Sequence, residues 1–290
     1  MKFGVMFVNA GPFGEPEMLR HIAETAERCG FESLWAVEHV VVPVTLESKY
    51  PYAADGNLPA GNDAAISDPL VALGFVAGLT RTIKLGTGIL ILPQRHPIYT
   101  AKEVATIDRL SGGRMLLGIG SGWLREEFEA VDVPFAERGS RTDEAIRALR
   151  VLWAGDPASF DGRHYSWPAM FSRPLPVQRP GVPIIIGGHS PAAAKRAARL
   201  GDGFFPIPSA SEPDALPKLL EIMRDECERI ARKPDSIELT TGVFHADLDG
   251  ARKLEDLGFS RIAVPPPGFD KEGITRGLEA FANQVASRMA

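Results

Sequence analysis

Cysteine is nearly missing from this chain, with two residues in 290. Cys29 shares a helical face with Leu19, Ile22 and Ala26, and Cys227 follows Leu216, Leu219 and Met223 at helical spacing. Neither sits in a turn or beside a base, so both read as small apolar core residues rather than redox or catalytic groups. A basic excess is missing too: 32 Lys and Arg against 37 Asp and Glu give a net charge of −5. That leaves no footprint for nucleic acid or an anionic membrane. No apolar run is long enough to span a bilayer. The opening run Met1–Val8 reads as a strand and lacks the cleavage pattern of a signal peptide, so a cytoplasmic protein is expected. Paired histidines are absent: there is no His-x-His or His-x-x-x-His, and strand one ends in Val8-Asn9-Ala10-Gly11. A metal-dependent barrel hydrolase needs closely grouped ligands, so no metal is expected. Repeats, low-complexity tracts and linkers are also lacking, and residues 1–290 read as one domain.

What remains is an ordinary globular composition, 44% hydrophobic and 24% charged. Apolar strand-like runs alternate with amphipathic stretches, the pattern of a parallel α/β sheet. Eight strands are expected at Lys2–Val8, Ser33–Val37, Ile83–Ile89, Arg114–Ile119, Pro183–Ile186, Gly203–Ile207, Ile237–Val243 and Arg261–Val264. Helix punctuation lies between them. Asp68-Pro69 is an N-cap followed by proline at the first helical position, and Ser190-Pro191 opens a helix that Gly201 stops. Eight βα units point to a closed (β/α)8 TIM barrel, with an open doubly wound sheet as the alternative. Two long excursions interrupt it, about 40–67 and about 155–182. The first follows a strand, so it belongs on the C-terminal side, where barrels keep their function, and is a candidate lid.

Two strands break straight into glycine. Met115–Ile119 runs into Gly120-Ser121-Gly122-Trp123, and Pro183–Ile186 runs into Gly187-Gly188-His189-Ser190. Glycine lets backbone approach a ligand closely, and the second turn aims free amides from a helix N-terminus, a device for holding phosphate. Strand three carries two glycines, in Leu85-Gly86-Thr87-Gly88-Ile89. Either a bulge or ligand approach, or tight packing inside a barrel, accounts for them. His39 ends strand two after Glu38, placed to exchange protons with a bound ligand or else to bond a neighbouring loop. Glu126 and Glu127 read as acidic residues enriching a first helical turn.

These residues resemble a known family. Leu110–Trp123 is similar to the signature of the bacterial luciferase-like flavin-dependent oxidoreductases. Glu38-His39, Leu85–Gly88, Arg138–Arg141 with Glu144, Pro183–Gly188 and Gly201–Gly203 agree in order. Within that superfamily the chain most resembles the branch that uses the deazaflavin coenzyme F420, with FMN as the alternative cofactor. The resemblance implies a non-prolyl cis peptide at Gly88-Ile89 supporting the central ring. It also implies a cofactor site of Glu38, Thr87, Gly88, Ile89, Gly120, Ser121, Gly122, Gly187, Gly188, His189 and Ser190. Hydride transfer to or from a small organic substrate follows, with His39 as general acid or base. Trp123, Tyr50 and Tyr52 would wall the substrate pocket, and a homodimer is implied. The alternatives are an FMN-dependent monooxygenase and a non-catalytic flavin-binding barrel. The sugar-phosphate dehydrogenases of the branch carry glutamate where Trp123 stands, so glucose 6-phosphate is not the expected substrate.

Overall fold

The strands are, in chain order, β1 (Lys2–Met6), β2 (Ser33–Ala36), β3 (Lys84–Thr87), β4 (Leu90–Ile91), β5 (Met115–Gly120), β6 (Ala158–Asp161), β7 (Ser166–Met170), β8 (Ile184–Gly187), β9 (Gly203–Phe205), β10 (Glu238–Gly242) and β11 (Arg261–Val264). The computed structural model describes residues 1–59, 61–155, 157–209, 211–212 and 214–289. Parallel pairing runs β3-β2-β1-β11-β10-β9-β8-β5, and β3 also pairs with β5, which closes a ring of eight. The helices are α1 (Pro16–Arg28), α2 (Pro69–Leu79), α3 (Pro97–Leu110), α4 (Arg125–Ala130), α5 (Arg138–Ala154), α6 (Pro191–Leu200), α7 (Leu216–Arg229), α8 (Leu248–Asp256) and α9 (Lys271–Gln284). The result is a (β/α)8 barrel. The expected N-caps hold: Asp68 accepts the Leu70 and Val71 amides, each at 2.9 Å, and Ser190 accepts the Ala193 amide at 3.3 Å.

Apolar side chains fill two shells. The larger lies between the strands and the helices. The smaller fills the barrel itself with Met6, Trp35, Leu116, Ile185, Phe205 and Ala263. Trp35 is fully buried, donates its indole N–H to Ser33 Oγ at 2.9 Å, and meets Phe205 edge-on at 5.1 Å. A Cβ on Gly86 would stand 2.5 Å from the Trp35 ring. Tight packing thus accounts for the first glycine of strand three. The second does something else: the Gly88–Ile89 peptide is cis and splits the expected run Ile83–Ile89 into β3 and β4.

At the end of the barrel where its strands begin, Arg261 is fully buried. Its guanidinium bonds Glu32 (2.7 and 2.8 Å) and Glu238 (2.9 Å), and donates to Thr240 Oγ1 at 3.0 Å. The opposite end carries the first excursion. Asn9, fully buried, pins both ends of it: its side chain exchanges hydrogen bonds with Val37 (2.8 Å each way) and donates to Ser67 O at 2.5 Å. The second excursion is a β6–β7 hairpin lying along α5, where Glu144 accepts the amides of Arg163, His164 and Tyr165.

Candidate functional site

Strand β2 stops at Ala36, and the chain that leaves it carries Glu38 and His39. Glu38 is buried. Its Oε1 takes Arg95 Nε and Nη2 at 2.8 and 2.6 Å, and its Oε2 accepts the Ile91 amide. Burial pushes the Glu38 carboxyl up, and the Arg95 guanidinium opposes that shift. Arg95 also bonds Asp68 at 2.5 Å, so Glu38 ties the ends of β2 and β4 to the start of α2. His39 faces differently. Its Nδ1 lies 3.1 Å from Oε2 of Glu127, a wholly enclosed side chain on α4, while Oε1 of that carboxylate accepts the Val40 amide at 2.6 Å. Nε2 of His39 has no partner among the described residues.

The floor of the mouth is built from residues without side chains. Ile89, half-buried, projects between β5 and β8: a Cβ on Gly120 would fall 2.6 Å from its Cδ1, and one on Gly187 would fall 2.4 Å from its Cγ2. Thr87 is buried and donates its hydroxyl to Gly118 O at 2.6 Å, locking β3 to β5 beneath that floor. Gly122 takes φ +76°, and a Cβ there would stand 2.5 Å from the Phe128 ring. Ser121 beside it accepts the Thr142 hydroxyl at 3.1 Å.

Across the mouth, Gly187-Gly188-His189-Ser190 leads into α6. Gly188 adopts φ +130°, open to glycine and strained for other residues, and its N–H points to Phe205 O at 3.4 Å. Among the described residues no acceptor faces the amides of His189, Ser190 and Ala192, and Pro191 has none to offer. Three donors without a protein acceptor among the described residues thus stand at the N-terminus of a ten-residue helix, where the backbone dipole favours negative charge.

The first excursion brings Tyr50 and Tyr52 to this mouth. The rings of His39 and Trp123 lie 5.7 Å apart, those of Trp123 and Tyr50 5.4 Å, those of Tyr50 and Tyr52 5.4 Å, and those of Tyr52 and His189 5.1 Å. All four contacts are edge-to-face, so one arc of rings runs from the imidazole after β2 to the glycine turn after β8. The Tyr52 hydroxyl stands 3.1 Å from His189 Nδ1. Burial pushes the Tyr52 phenol up and the His189 imidazole down, so near neutral pH the phenol donates to an uncharged ring. A cavity of about 350 Å³ opens beside His39, walled by Glu38, Val40, Ile66, Gln94, Arg95 and Val131 among others, and a second of about 160 Å³ shares His39, Val40 and Ile66.

The arrangement therefore brings His39, Trp123, Tyr50, Tyr52 and His189 together around a glycine floor. Glu38 and Thr87 are held by their own bonds, Glu38 to Arg95 and Ile91 and Thr87 to Gly118, and Glu38 also walls the larger cavity. Two residues of the site were not legible as such. Glu127 orients His39, and Glu126 accepts the amides of Glu47 and Ser48 (2.7 and 2.9 Å) and the Ser48 hydroxyl (2.6 Å), holding the excursion two residues before Tyr50. A first helical turn is where acidic residues are usual, so their reach into the loop gave no separate signal.

Residues 1–247 match the model of the luciferase-like monooxygenase family, and the chain belongs to that family. It is 32% identical over 277 residues to an uncharacterized protein of Mycobacterium tuberculosis, covering 92% of this chain and 94% of the relative. It is 30% identical to the F420-dependent glucose-6-phosphate dehydrogenase of Nakamurella multipartita, over 96% of this chain and 77% of that enzyme. A shorter match, 35% identical over 64% of this chain and 47% of the relative, is to the FMNH(2)-dependent dimethylsulfone monooxygenase of Pseudomonas putida. Among solved structures, the coenzyme F420 dependent tetrahydromethanopterin reductase of Methanopyrus kandleri superposes with a TM-score of 0.78 at 18% identity, covering 100% of this chain and 99% of that one. The last shows a shared fold. Family members thus include F420-dependent and FMN-dependent oxidoreductases, and no helix among the described residues is long and apolar enough to cross a membrane.

Proposed function

We propose that this protein is an F420-dependent oxidoreductase that transfers a hydride between the deazaflavin and a small organic substrate, with His39 as general acid or base. The observation that carries the reading is the pairing across one mouth of an anion site and a partner-free imidazole nitrogen. The unpaired amides of His189, Ser190 and Ala192 suit the phosphate of a cofactor side chain. The floor of Gly88, Ile89, Gly120 and Gly187 gives a flat ring a surface to lie on, with Ser121 and Gly122 beside it. The deazaflavin supplies two-electron hydride chemistry when bound. The protein's share is to hold it against the substrate, to shut water out with Trp123, Tyr50 and Tyr52, and to move one proton at His39 Nε2. Aromatic walls and the Trp123 position favour an uncharged substrate over a sugar phosphate.

A relative matched over 96% of this chain is F420-dependent, which favours the deazaflavin. The 35% match to an FMNH(2)-dependent enzyme keeps FMN as a second reading. Titrating the pure protein with F420 and with FMN, followed by the absorbance and fluorescence of each, tests the choice. Tight binding of F420 alone is the expected result; tight binding of FMN alone, or of neither, overturns it. A screen of uncharged ketones, alcohols and enones against the loaded protein then reads the substrate class, and a homodimer is expected by sedimentation.

A further inference from the structure

Glu127 is a buried carboxylate whose sole ionic partner among the described residues is an imidazole. Its side chain has no exposed surface, and among the described residues no lysine or arginine pairs with it. A carboxylate so placed is costly unless it is paired and hydrogen-bonded. Here both oxygens are spent on one two-residue step of the chain, Oε2 on His39 Nδ1 at 3.1 Å and Oε1 on the Val40 amide at 2.6 Å. A carboxylate can only accept, so this bond requires the proton of His39 to sit on Nδ1, and the backbone bond stops the carboxylate from swinging away. Phe128, the next residue, is also fully buried, which fixes α4 and with it the direction of the Glu127 side chain.

We propose that Glu127 is the positioning residue for proton transfer at His39, a role that rests on reading His39 as the general acid or base. It keeps Nδ1 protonated in every state of the cycle, so that Nε2 alone gains the proton when substrate is oxidised and gives it up when substrate is reduced. When Nε2 is protonated, the carboxylate faces the resulting imidazolium and stabilises it. The same logic governs any histidine base held by a buried acid, where the acid selects the tautomer rather than relaying charge.

The test reads the tautomer directly, in protein labelled with 15N-histidine and free of cofactor, with the His39 signals assigned by their loss in His39→Gln. In the wild type near neutral pH, Nδ1 is expected to carry a proton. In Glu127→Gln the amide oxygen still accepts from Val40, while the amide nitrogen donates to Nδ1 and drives the proton to Nε2. A wild-type spectrum with the proton on Nε2 alone, or an unchanged tautomer in Glu127→Gln, overturns the proposal. If Glu127→Gln does not fold, the wild-type spectrum decides by itself. With a substrate from the screen above, Glu127→Gln is expected to lower kcat by about 10²-fold or more, with KM and F420 affinity near wild type. A residue that merely braced the loop would be rescued by glutamine, so full kcat in this variant also counts against the proposal. F420 that does not bind the wild type sinks the function proposed above and leaves the tautomer result standing, so the two failures are distinguishable.

Discussion

At the scale of single residues, the site depends on one imidazole and on side chains that are not there. His39→Ala is expected to reduce turnover about 10²-fold or more while leaving F420 affinity near wild type, since in the proposed role the ring moves a proton rather than gripping the cofactor. Stopped-flow measurement of the hydride step checks it; an unaltered rate would remove His39 from the chemistry. Gly187→Ala tests the floor. The added Cβ lies 2.4 Å from Ile89 Cγ2, a methyl on a β-branched side chain that cannot rotate away freely, so Ile89 must rise into the mouth. Cofactor affinity should fall about ten-fold, and Ile89→Ala in the same chain should restore most of it, as a fluorescence titration would show. His39 was legible because it ends a strand. Glu127 was not, since it lies 88 positions from His39 and nothing local records the contact.

Among the elements, β3 and the first excursion carry the demands of the site. A Cβ on Gly118 would stand 1.9 Å from the Thr87 carbonyl oxygen, so Gly118→Ala must push β3 off β5 where the ring closes. A loss of about 3 kcal/mol or more is expected in urea unfolding; a loss under 1 kcal/mol would mean the seam is slack. The excursion is held through Glu126, whose bonds to Ser48 and the Glu47 amide pull its carboxyl from 4.5 down to about 2. A depressed folded pKa means this anchor is in force above the unfolded value and weakens as pH falls from about 4.5 toward 2. Pepsin should therefore cut the 40–67 segment progressively faster across that window. At neutral pH, Glu126→Ala should speed tryptic cleavage after the exposed Lys49 about ten-fold, and equal rates would show that the loop is held elsewhere. The sequence shows where this excursion starts and that it lies on the functional side. Its contact with His189 joins residues 137 positions apart and depends on rings meeting in space.

For the whole molecule, the barrel separates stability from function by its two ends. Arg261 and its carboxylates stand where the strands begin, while His39, the glycine floor and the turn before α6 stand where they finish. Arg261→Met leaves Glu32 and Glu238 without their shared cation. Glu32, held near 2 by Arg261 despite burial, should titrate closer to its ordinary value. A cost of about 3 kcal/mol is expected, moderated because both carboxylates keep some contact with water. Calorimetry reads the loss and a cofactor titration should read no change; a matching drop in affinity would mean the two ends are coupled.

By itself the sequence determined eight strands alternating with helices, the helix starts at Asp68 and Ser190, and the family, because periodicity, caps and glycine turns act over a few residues and leave a local record, while a closed barrel and an open sheet both fitted it. The tertiary structure alone decided which glycine of β3 makes room for Trp35 and which marks the break before β4. It alone set Glu38 on Arg95, brought Glu127 to His39, and drew one line of rings across the mouth. Those outcomes depend on ring closure, which sets side chains from distant strands a few ångströms apart, and no stretch of the chain encodes that distance on its own.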